Sequence, residues 1–173
     1  MNVLARFSVI KAFVFDMDGV LTDGSLLIDH DSKWLRRMNI KDGYALQLAV
    51  KSGYKIVVIS GSDASPVSER LLKLGITDVF MNVTDKETLL KNYLHENGLS
   101  TNETLFMGDD IPDYQCMRIA GLACCPADAV VEIKNISSYI SPIPGGYGCV
   151  RDVIEKVMKL NNKWPLQTFV PSA

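Results

Sequence analysis

Short apolar runs alternate with segments of helical periodicity along most of this chain. The runs that predict β-strands are residues 11–15, 54–59, 78–82, 104–107 and 121–125. The segments that predict helices are residues 43–52, 67–74, 86–97, 112–120 and 150–160. Gly75 and Gly98 follow two of these segments and are typical stop signals for a helix. Because parallel strands need a crossover connection, this alternation predicts an α/β fold with a doubly wound, Rossmann-like parallel sheet.

Residues 22–39 interrupt this alternation. Two β-rich arms, around 26–28 and 34–40, flank a polar centre at 29–32. That pattern predicts a β-hairpin that projects after the first strand. The other intervals are too short for an inserted domain, so we expect no cap domain. The 173 residues then form a single domain, with a core over about 9–160 and an irregular tail over 161–173.

Composition and charge exclude several classes of function. Apolar residues make up 47% and charged residues 22% of the chain, with a formal net charge of −2, which favours a globular protein without a nucleic-acid-binding surface. No apolar stretch approaches the length of a membrane span, and residues 1–8 do not resemble a secretory signal. The four cysteines form no C-x-x-C pair, and Cys124 and Cys125 are predicted to be buried in a strand. We therefore expect a reduced, cytoplasmic protein that contacts neither nucleic acid nor membrane.

The first apolar run ends in two aspartates, Asp16 and Asp18, followed by Gly19. Side chains two positions apart on a strand point in one direction, so both carboxylates can face one ligand. Open α/β sheets bind ligands outside the carboxyl ends of their strands, and paired acids repel each other unless a cation or substrate compensates them. The alternative is an acidic turn without chemistry, because Asp and Gly are common turn residues.

Polar residues of a consistent kind follow three more of the predicted strands. They are Ser60-Gly61, Asp85-Lys86, and Gly108-Asp109-Asp110 with Asp113. In a doubly wound sheet these groups meet at one edge. Carboxylates without a His/Cys set favour Mg²⁺, and a hydroxyl, free N–H groups at helix starts and a lysine favour a phosphoryl group. Each group alone is a common turn or surface feature, but together they predict a phosphoryl-transfer site.

These motifs resemble those of the haloacid dehalogenase superfamily of phosphohydrolases. The corresponding segments are Asp16-Met17-Asp18-Gly19-Val20, Ser60-Gly61, Lys86 and Gly108-Asp109-Asp110-Ile111-Pro112-Asp113. The resemblance implies that Asp16 is the nucleophile, which forms an aspartyl-phosphate, and that Asp18 is the general acid and base.

The same resemblance implies a Mg²⁺ site and a phosphate site. Asp16, Asp109 and the main-chain carbonyl of Asp18 would bind the metal. Ser60, Gly61 and Lys86 would bind the phosphoryl oxygens. Asp110 and Asp113 would orient metal-bound water or Lys86.

Within this superfamily the chain is similar to the capless 3-deoxy-D-manno-octulosonate 8-phosphate phosphatases. The segments that carry the similarity are residues 16–24, 39–44, 69–76 and 145–152. The similarity implies a sugar-phosphate phosphatase of lipopolysaccharide synthesis, assembled as a homotetramer whose hairpins pack together. It also implies that Arg70 binds the substrate carboxylate, and that Gly145, Gly146 and Tyr147 reach the active site of a neighbouring subunit.

Two departures from this pattern leave alternatives open. Ser62 stands where relatives often carry Arg or another charged residue, and Tyr147 stands where Arg is frequent, so the selectivity for the sugar is open. A phosphatase of a nine-carbon keto-deoxy sugar acid 9-phosphate is the nearest alternative, and Lys73 lies at a position expected to distinguish the two. A non-catalytic sugar-phosphate-binding module is another, although such modules are expected to lose a catalytic residue. Arg70 is alternatively a surface helix residue, and Lys41-Asp42 alternatively a solvated turn.

Overall fold

The computed structural model describes residues 2–30, 34–63 and 66–165, and a parallel sheet forms its centre. The strands of these ranges are β1 (Ala12–Phe15), β2 (Leu27–Ile28), β3 (Trp34–Leu35), β4 (Lys55–Ile59), β5 (Asp78–Phe80), β6 (Thr104–Met107), β7 (Leu122–Cys125) and β8 (Tyr139–Ile140). Six of them form one sheet in the order β5-β4-β1-β6-β7-β8, with every pair parallel. The chain winds outward from β1 in both directions, so a ligand crevice is expected beyond the carboxyl end of β1.

Helices cover both faces of this sheet. The helices of the described ranges are α1 (Val3–Ser8), α2 (Ile40–Lys51), α3 (Pro66–Lys73), α4 (Lys86–Glu96), α5 (Tyr114–Ile119), α6 (Val131–Ile136) and α7 (Cys149–Leu160). Phe13 and Phe15 pack into the core formed with α1, α2, α3 and α7. Val14 packs into the core formed with α4, α5 and α6. Because β1 is buried on both faces, its sequence is continuously apolar, and the predicted α/β fold is confirmed.

Three short elements were not predicted from the sequence, namely α1, α6 and β8. Each helix has six residues, and β8 pairs only Tyr139 and Ile140 with its neighbour. Segments of this length are too short to show a periodicity that distinguishes helix from strand. The other predicted strands and helices are confirmed, with boundaries that differ by a few residues.

β2 and β3 form the predicted hairpin, in which Leu27 pairs with Leu35 and Ile28 with Trp34. Leu27, Ile28 and Trp34 are 66%, 63% and 57% exposed, so the arm presents an apolar surface to solvent in the single chain. Residues 31–33, which include the second half of the predicted polar centre, lie outside the described residues, as does most of the predicted tail, residues 166–173.

Asp42 is buried in the first turn of α2, so the solvated-turn interpretation is wrong for this residue. Its Oδ1 accepts a hydrogen bond from the backbone N–H of Arg151, in the first turn of α7, at 2.7 Å. Burial raises the pKa of Asp42 to about 6, although the N–H groups at the start of α7 oppose this effect. The carboxylate therefore joins two helices that pack on the same face of the sheet, whereas Lys41 is exposed.

All four cysteines are buried and free, and Cys124 and Cys125 lie in β7 as predicted. Burial raises the pKa of each thiol, so these side chains pack as apolar groups. Among the described residues, no helix combines the length and the apolar character that crossing a bilayer requires.

Candidate active site

The turn after β1 places Asp16 and Asp18 at the carboxyl edge of the sheet. The chain makes an irregular helical turn over Met17–Leu21, in which Gly19 has a φ of +90°. A Cβ at Gly19 would overlap the carboxylate of Asp109, so glycine is required for this close approach. The loops that follow β1 and β6 therefore meet, as the sequence predicts.

Lys86 lies between two carboxylates at the centre of this edge. It begins α4, and its ammonium lies 2.7 Å from Asp16 Oδ1 and 2.8 Å from Asp113 Oδ1. All three side chains are buried. Burial by itself would lower the pKa of Lys86, but the charges of Asp113 and Asp16 outweigh this effect and raise it. Lys86 therefore stays charged and can stabilise negative charge that develops beside Asp16.

The carboxylates of Asp16, Asp109 and Asp113 form a group that fits a metal ion, because one oxygen from each lies within 4.8 Å of the others. Burial, together with the neighbouring carboxylates, raises the pKa of Asp109 to about 8 and the pKa of Asp16 to about 7. Asp109 Oδ1 is buried without a hydrogen-bond partner among the described residues. Excess buried negative charge and an all-oxygen donor set suit Mg²⁺. Asp16 and Asp109 are the side chains that the sequence predicts for this metal, and Asp113 lies beside them with its oxygens bound to Lys86 and to the backbone N–H of Asp109.

Asp18 has a separate set of partners, from the hairpin and the loops around it. Arg36 binds both carboxylate oxygens, with Nε 2.6 Å from Oδ1 and Nη2 3.1 Å from Oδ2. The Ser62 hydroxyl donates to Oδ2 at 2.5 Å, and the Thr22 hydroxyl donates to Oδ1 at 3.3 Å. Burial alone would raise the pKa of Asp18, but the bonds from Arg36 and Ser62 outweigh it and hold the pKa below its ordinary value. Asp18 is therefore an ionised carboxylate with both oxygens occupied.

Ser60 and Gly61 follow β4 at the same edge of the sheet. Ser60 is buried, and its hydroxyl accepts a hydrogen bond from the backbone N–H of Ser62 at 3.1 Å. One cavity of about 540 Å³ is lined by Asp16, Asp18, Ser60, Gly61, Lys86, Asp109, Asp110 and Asp113, among others. Asp110 is exposed and binds the backbone N–H of Ile111 at 2.7 Å. The structure thus brings together every residue predicted for the nucleophile, the acid, the phosphate site and the metal site.

The glycine-rich segment before α7 packs against its own chain. Gly145 and Gly146 are buried, and a Cβ on either residue would overlap the backbone of residues 19–23. The two glycines therefore pack against the turn after β1 of their own chain, and the expectation that this segment also reaches the active site of a neighbouring subunit stays a prediction. Tyr147 is 52% exposed, and its hydroxyl accepts a hydrogen bond from Arg37 Nη2 at 3.1 Å.

Arg70 lies on α3, outside the lining of the catalytic cavity. It lines an adjacent groove of about 250 Å³ between the hairpin and α3, together with Trp34, Met38 and Arg36. Arg36 therefore connects the two cavities, because it lines the groove and also binds Asp18. Sequence reasoning missed this residue. The one available signal is that Arg36-Arg37 is the only pair of adjacent arginines in the sequence.

Comparison with known proteins agrees with this geometry. The family of haloacid dehalogenase-like hydrolases matches residues 72–144. The 3-deoxy-D-manno-octulosonate 8-phosphate phosphatase of Escherichia coli K12 is 29% identical over 162 residues, which cover 94% of this chain and 86% of that protein.

Solved structures extend this relation to the fold. A 3-deoxy-D-manno-octulosonate 8-phosphate phosphatase from Moraxella catarrhalis, in complex with a magnesium ion, a phosphate ion and a KDO molecule, is 30% identical, with a TM-score of 0.89 over 93% of each chain. A probable YrbI family phosphatase from Pseudomonas syringae is 32% identical, with a TM-score of 0.90 over 93% of this chain and 92% of that one. The chain therefore belongs to the haloacid dehalogenase-like hydrolases and resembles the capless 3-deoxy-D-manno-octulosonate 8-phosphate phosphatases among them.

Proposed function

We propose that this protein is a Mg²⁺-dependent phosphomonoesterase that hydrolyses 3-deoxy-D-manno-octulosonate 8-phosphate. The observation that carries the phosphatase activity is the buried Lys86, which bridges Asp16 and Asp113 beside the unpartnered oxygen of Asp109. The sugar substrate is supported by the similarity to the phosphatases of Escherichia coli and Moraxella catarrhalis. The protein then acts on a small sugar phosphate in lipopolysaccharide synthesis.

In the first half of the reaction, a carboxylate oxygen of Asp16 attacks the phosphorus, and the bond from phosphorus to the sugar oxygen breaks. Asp18 is ionised in the substrate-free chain, so it must take up a proton before this step, and it then donates that proton to the sugar oxygen as it leaves. Lys86, the Ser60 hydroxyl and the backbone at Gly61 bind the phosphoryl oxygens, on which negative charge is concentrated. The product of this step is an aspartyl-phosphate on Asp16.

In the second half, a water molecule attacks the phosphorus of the aspartyl-phosphate while Asp18 accepts a proton from it. The bond between phosphorus and the Asp16 oxygen breaks, which releases phosphate and restores the carboxylate. Asp113 keeps Lys86 in place, and its other oxygen accepts the backbone N–H of Asp109 at 3.1 Å. One residue thus positions both the lysine and a predicted metal ligand.

Asp16, Asp109 and the main-chain carbonyl of Asp18 would hold the metal, and Asp110 lies at the exposed rim where it can orient bound water. Mg²⁺ in that position supplies the positive charge that lets a carboxylate approach a phosphate monoester dianion. The raised pKa values of Asp16 and Asp109 fit this role, because a bound cation favours the ionised form of each carboxylate.

We also infer a homotetramer, in which the apolar surfaces of the hairpins pack together and neighbouring subunits close the active sites. The exposure of Leu27, Ile28 and Trp34 supports this arrangement, since a monomer rarely presents such a patch. Without a cap, the cavity is open to the leaving group, so contacts to the sugar come from Arg70, from Tyr147 and from a neighbouring chain. The four free cysteines are consistent with a cytoplasmic location.

Phosphate release from p-nitrophenyl phosphate and from the eight- and nine-carbon sugar acid phosphates tests this proposal. We expect the highest kcat/KM on 3-deoxy-D-manno-octulosonate 8-phosphate, loss of activity in excess EDTA, and recovery with Mg²⁺. Full activity after rigorous chelation would contradict the metal site. Faster turnover of the nine-carbon substrate would contradict the assignment of the sugar, while the phosphatase assignment would stand.

A further inference from the structure

The carboxylate of Asp18 has no oxygen left for a leaving group. Its Oδ1 accepts hydrogen bonds from Arg36 Nε and from Thr22, and its Oδ2 accepts from Arg36 Nη2 and from Ser62. The Arg36 side chain is 7% exposed, so this two-point contact is largely shielded from water. Charge-assisted, two-point contacts of arginine with a carboxylate are among the strongest side-chain hydrogen bonds.

The proposed reaction requires that the leaving sugar oxygen come within hydrogen-bond distance of Asp18. One of the existing partners must therefore withdraw when substrate binds. Thr22 is buried in the turn after β1, where it accepts the N–H groups of Gly19 and Gly24 at 3.3 Å each. Ser62 is held by the bond from its backbone N–H to the Ser60 hydroxyl. Arg36 has a long side chain, follows the short strand β3 of the projecting hairpin and borders an adjacent groove, so it is the partner that can withdraw.

The groove that Arg36 borders shows where its guanidinium can go. The groove between the hairpin and α3 has a volume of about 250 Å³, which is small for a whole ligand and sufficient for part of one. Arg70 lies in the same groove, and Trp34 and Met38 form apolar walls. Two arginine residues border this small groove, which favours an anionic group as its occupant.

We propose that Arg36 is a specificity-determining residue, which leaves Asp18 to bind a carboxylate on the leaving alcohol and so frees Asp18 to serve the leaving oxygen. This inference rests on the proposed phosphatase function and adds a requirement to it. An arginine that gives up one carboxylate needs another anion in exchange, because an unpaired buried guanidinium is costly. A substrate with an acidic leaving group supplies that anion, and a neutral sugar phosphate does not.

Three phosphate monoesters test this requirement: the eight-carbon sugar acid phosphate, its methyl ester, and p-nitrophenyl phosphate. The ester removes only the carboxylate charge. We expect wild-type protein to prefer the acid, and Arg36→Met to lower kcat/KM on the acid about 30-fold, since hydrogen bonds between charged groups are stronger than those between neutral ones. On the ester and on p-nitrophenyl phosphate, the same variant keeps or exceeds wild-type activity, because Asp18 has been freed.

Two further variants test whether the effect of Arg36→Met comes from lost recognition of the carboxylate, from the change in net charge or from misfolding. Arg36→Lys keeps the charge without the two-point contact, and we expect it to recover only part of the preference for the acid. Lys91→Met removes one exposed cation, which pairs with Glu87 on α4, and should leave all three activities unchanged. Thermal unfolding of each variant checks that the fold is intact.

The results distinguish failure of this inference from failure of the phosphatase function. Wild-type protein that hydrolyses none of the three esters with Mg²⁺ would overturn both. If wild-type protein is active and Arg36→Met loses equal activity on all three substrates, the inference alone is overturned. Arg36 would then support the site without binding the substrate carboxylate. A wild-type protein that turns over the acid and its ester equally well would also overturn it.

Discussion

The carboxyl edge of the sheet and the β2–β3 hairpin are built in opposite ways. At the sheet edge, Asp16, Lys86 and Asp113 are buried and joined by hydrogen bonds of 2.7 and 2.8 Å. The hairpin has only two residue pairs and exposes the apolar side chains of Leu27 and Ile28. The groups that we propose for the chemical step all lie within one chain, whereas the arm beside them carries an apolar surface that one chain does not cover.

Among the described residues of the hairpin and its flanks, Arg36 binds a carboxylate that lines the catalytic cavity. Its bonds to Asp18 connect the arm to the group assigned to proton transfer. We therefore expect substitutions at the sheet edge to slow the hydrolysis of every substrate. Substitutions on the hairpin should slow the hydrolysis of the sugar phosphate more than that of p-nitrophenyl phosphate.

The largest expected effect is at Asp16. Asp16→Asn replaces the nucleophilic carboxylate by a neutral amide and removes the negative charge at the metal site, so we expect no detectable hydrolysis of the sugar phosphate or of p-nitrophenyl phosphate. Lys86 retains Asp113 as a partner, and circular dichroism should show an intact fold. Near-normal rates in a preparation free of contaminating phosphatase would disprove the covalent mechanism.

Lys86→Met should have the next largest effect. Loss of a preorganised positive charge at the phosphoryl group costs roughly 10²–10³-fold in kcat, and we expect that loss on the sugar substrate and on p-nitrophenyl phosphate alike. The variant also leaves Asp16 and Asp113 without their cation, so its stability should fall more at pH 8 than at pH 6, where the carboxylates protonate more readily. Lys91→Met on the same helix is the matched control, and an equal loss there would show a general charge effect.

Leu27→Asp on the hairpin should separate the two regions. We expect light scattering to show a smaller assembly, because a charge in an apolar interface is poorly tolerated. The kcat/KM on the sugar substrate should fall about tenfold, equivalent to roughly 1.4 kcal/mol, while p-nitrophenyl phosphate is hydrolysed at the wild-type rate. Leu72→Asp, at an exposed leucine of α3, is the comparison variant. Wild-type protein that is a fully active monomer would remove the basis of this prediction.

The smallest effect concerns Asp42, a buried carboxylate outside the site. Its pKa is raised to about 6 in the folded protein from 3.8, so the folded state binds the proton more tightly than the unfolded state. Its contribution to stability is therefore greatest below pH 4 and declines as the pH rises to about 6. Asp42→Asn should remove that pH-dependent component, roughly 2–3 kcal/mol for a pKa difference of about two units, and leave kcat unchanged.

Urea unfolding of wild type and Asp42→Asn at pH 4.5 and pH 7.5 measures this difference. An identical pH dependence in the two proteins would show that Asp42 does not titrate in this range. A fall in kcat would place Asp42 in the catalytic machinery and would contradict its assignment as a core carboxylate outside the site.

The amino-acid sequence by itself determined the sheet and the residues at its carboxyl edge. Apolar runs such as residues 104–107 lie between segments of helical periodicity, and strict alternation with helices requires parallel strands. Parallel topology then brings the ends of β1, β4 and β6 together. For this reason Asp16, Ser60, Lys86 and Asp109 could be assigned to one cavity from their order along the chain.

Tertiary structure alone decided the contacts between segments that no local pattern relates. Arg36 reaches Asp18 through the fold of the hairpin, Asp42 binds the start of α7, and Gly145 packs against the turn after β1. Hydrophobic periodicity reports which face of an element is buried, and it carries no information on which distant backbone or charged group lies against that face. Those pairings follow from the packing of complete elements, which is why the partners of Asp18 emerged only from the folded chain.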